Sequence, residues 1–196
     1  MTPFKTLTSI VAPLLRDNID TDTIIPSREM RSTGRTGLSD GLFAPWRYLG
    51  ERVPDPAFVL NQPAFASAQV IAAGANFGCG SSREHAVWAL AEYGIRAVIA
   101  ESFAPIFYGN CIRNGLLPLV IDPALVAGRT AHIDLPAQTL TCDGAVHAFD
   151  IDAEAKAMLV EGLDAIDLTL KQRDAIAAFQ ARDRPARPWV YLEAVR

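Results

Sequence analysis

The chain has 196 residues, half of them hydrophobic and a fifth charged, with a formal net charge of −4. This composition fits one globular domain with a small appendage, and the acidic balance gives no electrostatic reason to bind nucleic acid or an anionic membrane. The first residues, MTPFK, lack the apolar stretch of a signal peptide, and no apolar run nears the ~18 residues of a membrane span, so a cytoplasmic protein is expected.

In chain order, residues 7–15 read as a strand that runs into a polar loop, 16–23. Asp17, Asp20 and Asp22 lie in that loop. The further oxygen ligands and turn glycine of a calcium loop do not follow, so these carboxylates are expected to cap local backbone. Residues 28–52 form a long irregular stretch with Arg28, Arg31, Arg35, Arg47 and Arg52 beside Phe43, Trp46 and Tyr48. Structureless loops longer than ~12–15 residues are usually functional or disordered. The apolar content argues against disorder, which leaves a ligand or partner contact, or a surface loop with solvated arginines.

A regular alternation follows: strand 68–73, helix 82–93 stopped by Gly94, strand 95–100, helix 102–114 closed by Gly115, and strand 116–121. Continuous apolar strands alternating with helices of about a dozen residues indicate parallel βαβ units. Ala86, Ala89, Leu90 and Tyr93 make the apolar stripe of the first helix. Pro105 falls in the first turn of the second, where its missing N–H is tolerated. In the last third, strands 138–142 and 145–149 flank Asp143-Gly144, a type I′ hairpin signal. Helices 153–161 and 166–181 come next, the latter carrying Ile166, Leu170, Ile176 and Phe179. The tail PWVYL is too apolar for a free end and is expected to pack on the domain or a partner.

The chemistry is concentrated in residues 74–85, GANFGCGSSREH, which pass from a strand through glycines into a helix. Gly78 and Gly80 allow a ligand close to the backbone, and the free amides and dipole of the helix start favour an anion. Ser81 with Glu84 reads as a capping box, placing Ser81 at the N-cap. A nucleotide loop would need G-x-G-x-x-G or a P-loop lysine, and neither is present. A serine hydrolase would need a nucleophile elbow with a partnered histidine. Here the serines follow G-x-G, His85 lies on the same helix, and His132 and His147 lie in the strand-rich last third.

Proton transfer next to a carboxylate suits the residues better. The alkoxide of a serine can be stabilised by loop amides, the helix N-terminus and Arg83 together. Arg83 can also hold a carboxylate through charge-assisted hydrogen bonds of ~1.5–3 kcal/mol each. A Lewis acid for a departing hydroxyl is missing, as in one subunit of a larger enzyme. A non-catalytic anion-binding subunit is the reading from another class, although simple anion binding needs no second hydroxyl beside Ser81. Cys79, Cys111 and Cys142 are widely spaced, with no C-x-x-C pair. Three cysteines can in principle hold three irons of a cluster, but these read as structural thiols, and no metal site is expected in this chain.

GCGSSREH, with DNIDTDTIIP before it and SFAPIFYGNCIRNGLLPL after it, resembles the swivel domain of the aconitase superfamily. Within it the likeness is to the small subunits of bacterial 3-isopropylmalate dehydratases. It runs over residues 4–122, with weaker agreement beyond. The resemblance implies an α/β fold, a swivelling β/β/α domain with a central parallel βαβαβ unit. A second, more antiparallel β layer would come from the N-terminal strand and the 138–149 hairpin. Residues 1–196 would form one domain, with the helices of 153–182 as an appendage.

The resemblance also implies a [4Fe–4S] cluster on a separate large subunit, whose open iron binds substrate hydroxyl and carboxylate. Ser81 then matches the family's base. Ser82 and Arg83 match groups that hold the substrate carboxylate, assisted by Arg35 of GRTG, or by Arg31 in another register. Thr21, Asp22, Gly78, Gly80 and His85 would support them. The implied reaction interconverts 2-isopropylmalate and 3-isopropylmalate by dehydration and rehydration, in leucine biosynthesis. A related hydratase of citraconate (2-methylmalate) or a homoaconitate analogue is the alternative, since one methylene separates substrates by only ~1–3 kcal/mol. Val87 stands where many relatives have proline.

Overall fold

A computed structural model describes residues 1–30 and 34–191. The strands are β1 (Thr6–Leu14), β2 (Val70–Ala73), β3 (Ala97–Ala100), β4 (Leu117–Val120), β5 (Thr130–Asp134), β6 (Thr139–Cys142) and β7 (Ala145–Ala148). They form one seven-stranded sheet in the order β4-β3-β2-β1-β5-β6-β7. β2, β3 and β4 pair in parallel, as their fully apolar sequences VIAA, AVIA and LPLV require of strands covered on both faces. Pro118 is tolerated because β4 is an edge strand.

β1 changes partner midway. Thr6–Ile10 run antiparallel to β5, whereas Val11–Leu14 run parallel to β2. The N-terminal strand therefore belongs to both halves of the sheet and not to the antiparallel layer alone. Its alternate side chains separate two cores. Ala12, Leu14, Ile71, Ala73, Val98 and Ala100 face Ala86, Val87, Ala89 and Leu90 of helix α3 (Glu84–Tyr93). Val11, Val70, Ala72, Ile99, Leu117 and Leu119 pack with Ile133, Leu140 and Phe149 of the antiparallel half and with Met158 and Leu159 of α5 (Ala153–Glu161). The hydrogen bonds run through one sheet, and the packing makes two β layers and a helical one, the expected β/β/α arrangement.

α3 and α4 start later than the sequence pattern suggests. α4 spans Pro105–Asn114, because proline at its first position pushes Ala104 into an extended conformation. The hydroxyl and carbonyl of Ser102 are already taken by the N–H groups of Asn76 and Phe77. Gly94 and Gly115 close α3 and α4 with φ of 107° and 77°. The hairpin turn has positive φ at both Asp143 and Gly144, as a type I′ turn demands. A one-turn helix α1 (Thr21–Ile24) ends the expected polar loop, and another, α2 (Ala44–Arg47), lies in the stretch expected to be irregular.

The expected helix 166–181 is two helices, α6 (Ala165–Leu170) and α7 (Arg173–Ala186). The Thr169 hydroxyl bonds back to the Ala165 carbonyl at 2.9 Å, a contact that bends helices, and the break follows. Of the tail, residues 188–191 are described and Leu192 lies outside the described residues. Tyr191 folds back to Asp183 of α7 at 2.9 Å, and Trp189 stays 74% exposed. No helix among the described residues is long and apolar enough to cross a membrane.

Candidate functional site

The loop after β2 is threaded between two others. The Gly74 N–H donates to the Arg16 carbonyl at 3.0 Å, and a Cβ on Gly74 would lie 2.1 Å from the Asp17 carboxylate. That carboxylate accepts the Ala75 N–H at 2.8 Å. The Gly78 N–H donates to Ile19, and the Thr21 N–H donates to the Cys79 carbonyl, so residues 18–21 and 75–79 pair as a short ladder. On the other side, Phe77 pairs with Phe103 and stacks edge-on to Phe107 at 5.3 Å. Gly78 has φ +76°, and a Cβ there would meet the Phe107 ring at 2.1 Å. Only glycine lets the loop lie on that ring.

Beyond this anchored base the chain rises to solvent. Ser81 and Ser82 are exposed, and among the described residues neither hydroxyl has a side-chain hydrogen bond. The Ser81 carbonyl is held twice, by the hydroxyl of buried Thr21 at 3.0 Å and by the Arg83 N–H at 2.8 Å. That turn keeps Arg83 extended and makes it the residue before α3. The expected capping box therefore does not form. Glu84 instead accepts the side-chain amide of Asn114 at 2.8 Å, and Asn114 accepts the Trp88 indole N–H at 2.9 Å, clamping α3 to α4. Among the described residues no side chain caps α3, which leaves the N–H groups of Glu84 and His85 without a side-chain acceptor.

Arg83 is ion-paired with Asp22, whose carboxylate is mostly exposed. Asp20 caps α1 by accepting the Thr23 N–H at 2.6 Å. The three acids of the loop thus have three separate partners, as backbone caps or an ion pair. Thr21, Asp22, Gly80, Ser81 and Arg83 come together, with the Thr21 hydroxyl 3.5 Å from where a Gly80 Cβ would lie. His85 turns to Trp88, the ring centroids 4.7 Å apart.

Arg35 approaches the same helix from another direction. Its guanidinium lies over the Trp88 ring, 5.1 Å from the centroid. Arg31 lies outside the described residues. Of the remaining arginines, Arg28 and Arg52 pair with Glu29, and Arg16 stacks on Trp46 at 4.5 Å. Arg47 stacks on Tyr93 at 4.7 Å and donates to the Ser39 carbonyl at 2.7 Å.

Glu92 escaped the sequence reading. Its carboxylate accepts the N–H groups of Gly37, Leu38 and Ser39 at 2.7, 2.6 and 2.8 Å. Burial pushes this carboxyl up, but the three N–H groups outweigh it and hold the group below its ordinary value. The available signal was an acid in the last turn of a helix, where the dipole disfavours it.

Open clefts of about 490 and 420 Å³ lie on either side of Tyr48, and neither is lined by Ser81, Ser82 or Arg83. Among the described residues no three His, Cys, Asp or Glu side chains gather as metal ligands. Cys111 and Cys142 are buried and Cys79 partly so, all three unpaired. Burial raises each thiol, most strongly Cys111, away from the thiolate a metal requires.

Comparison with known proteins agrees with this geometry. Residues 1–124 match the aconitase C-terminal domain, and residues 166–191 match the C-terminal domain of the 3-isopropylmalate dehydratase small subunit. The chain is 52% identical over 207 aligned residues to a 3-isopropylmalate dehydratase small subunit of Cupriavidus necator, covering 98% of this chain and all of the relative. A protein of the same name from Xanthobacter autotrophicus is 47% identical, covering 97% of this chain and all of the relative. The crystal structure of 3-isopropylmalate dehydratase from Methanocaldococcus jannaschii superposes with a TM-score of 0.68 at 30% identity, covering 89% of this chain and 99% of that one. A partner-switching β1, an exposed serine loop held by residues 18–22, and near-full-length identity to named relatives lead to one conclusion: the chain belongs to the family of 3-isopropylmalate dehydratase small subunits, within the aconitase superfamily.

Proposed function

We propose that the chain is the small subunit of a 3-isopropylmalate dehydratase and supplies the proton-transferring half of its active site. The observation that carries this reading is the exposed Ser81 on a doubly held carbonyl, next to an Arg83 fixed by Asp22. A base must face outward when the other half of the site arrives on a separate chain. The large subunit is that chain, and a [4Fe–4S] cluster on it would supply Lewis acidity for the departing hydroxyl.

The residues of this chain do the rest. Arg83, with the Ser82 hydroxyl and the free amides of the α3 start, holds a substrate carboxylate, and Arg35 holds a second. Ser81 Oγ takes the proton from the carbon beside the carboxylate. The electrons of that C–H bond form the enoate double bond as hydroxide leaves the neighbouring carbon. Readdition of water in the opposite sense, with the proton returned by Ser81, gives the isomer. The same positive site that binds the carboxylate stabilises the serine alkoxide.

The test is reconstitution. The chain alone, the large subunit alone and the mixture are assayed with 2-isopropylmalate, 2-methylmalate and a homoaconitate-type diacid. Activity is expected only in the mixture, with kcat/KM highest for 2-isopropylmalate. A higher value for either other diacid reassigns the substrate, and activity of the large subunit without this chain removes the proposed base.

A further inference from the structure

The three backbone N–H groups that converge on Glu92 belong to consecutive residues, Gly37, Leu38 and Ser39. Such a concave run of amides around one carboxylate fixes a segment in position and orientation at once. The same segment is held from its other side. The Ser39 carbonyl accepts from Arg47, itself stacked on Tyr93, and the Leu38 side chain is 1% exposed in the core. Trp88 and Glu92 are spaced i, i+4 and so share one face of α3. The first meets the Arg35 guanidinium, and the second binds the backbone two residues beyond Arg35. α3 also carries Arg83 at its start, five residues and about 7.5 Å along the axis from Trp88.

From this arrangement we infer that Glu92 is a positioning residue for substrate binding: by clamping Gly37–Ser39 onto α3 it sets where Arg35 stands relative to Arg83. The placement of Glu92 fits that role better than a stabilising one. An acid at a helix C-terminus is disfavoured by the dipole, yet its hydrogen bonds end on the backbone just beyond Arg35. The inference rests on the reading of Arg35 as a substrate-binding residue, and the test separates the two.

Glu92→Gln and Arg35→Gln are each reconstituted with the large subunit, and amide hydrogen exchange is followed in the same complexes. Glu92→Gln keeps the size of the side chain and loses the charge. Exchange at Leu38 and Ser39 is expected to speed up by about tenfold or more. KM for 2-isopropylmalate is expected to rise by roughly tenfold with kcat within about twofold, because the geometry of binding is lost and the base is untouched. Glu92→Asp, charged but one methylene shorter, is expected to fall between, and it carries the comparison if Glu92→Gln does not fold. Unchanged exchange overturns the clamp. Faster exchange with unchanged KM, while Arg35→Gln raises KM, overturns the positioning role and leaves Arg35 in place. An unchanged KM in Arg35→Gln overturns the assignment of Arg35, and the inference falls with it.

Discussion

Arg83, the residue before α3, is ion-paired with Asp22 of α1, sixty-one residues earlier in the chain. The Asp22 side chain is 58% exposed and that of Arg83 20% exposed, so the pair is screened and contributes at most about 1 kcal/mol to stability. On the proposed role of Arg83 its effect is on orientation: the guanidinium fork would be aimed before a substrate carboxylate arrives. Asp22→Asn is therefore expected to leave the thermal midpoint within about 4 °C and to lower kcat/KM by roughly tenfold in the reconstituted enzyme. A larger fall in the midpoint, or unchanged kcat/KM, rules out this division of roles.

The glycines of the loop make a second, graded prediction. Gly78 and Gly80 both have positive φ, but a Cβ on Gly78 would enter the Phe107 ring, whereas one on Gly80 would sit at an ordinary 3.5 Å from Asp20 and Thr21. Gly80→Ala bears backbone strain alone, about 1 kcal/mol. Gly78→Ala adds steric displacement of a buried ring, another ~1–3 kcal/mol. Urea denaturation of the two variants should show that order. Equal losses would mean that the loop moves off Phe107 at no cost.

Much of this architecture was legible because local signals and packing agreed. The apolar runs of β2, β3 and β4, the closing glycines 94 and 115, and Asp143-Gly144 all specified what the fold contains. The serine loop was found by its glycines and its helix start. Two failures share a cause: a local hydrogen-bonding preference was overridden by a partner distant in sequence. Ser81 could start a helix, but Thr21, sixty residues away, holds its carbonyl, and Asn114, thirty residues away, took Glu84. Glu92 and Arg47 grip residues 37–39 across 53 and 8 residues of sequence, a pairing no periodicity announces. The stripe of α6 and α7 is real but unburied, with Ile166 69% and Phe179 50% exposed.

The Glu92 clamp also predicts a titration. A carboxyl held below its ordinary value by three N–H donors is ionised in the folded chain above that value, and the clamp is present there. It is lost only as pH falls through the lowered folded-state pKa. Arg35 on Trp88 and Arg47 on the Ser39 carbonyl lie beside the same segment. In an NMR titration the Glu92 carboxyl carbon and the amides of residues 37–39 should move together, with one midpoint below ~4.3, the usual glutamate value. Amides that titrate with a different midpoint would show that another group holds the segment.

Ser81 carries the last prediction, and the fold makes it cleaner than the sequence alone would. A serine at an N-cap contributes about 1 kcal/mol to its helix, which would confound any substitution there. Here Arg83 occupies that position, and Ser81 is held by its carbonyl, which alanine retains. Ser81→Ala should therefore melt like the parent chain. If its hydroxyl is the group that moves the proton, kcat in the reconstituted enzyme should fall by roughly 10²–10⁴-fold, the usual worth of a positioned base. KM should change little, since the guanidinium and amides proposed to hold the carboxylate remain. Arg83→Lys should show the reverse emphasis, a strong rise in KM, because a point charge cannot reproduce a two-pronged donor and cannot satisfy Asp22 in the same way. Solvent-deuterium exchange into the substrate decides between chemistry and binding. An exposed serine that serves only as a carboxylate ligand would leave exchange at the parent rate per bound substrate, and Ser82, the neighbouring free hydroxyl, would then be the base to test.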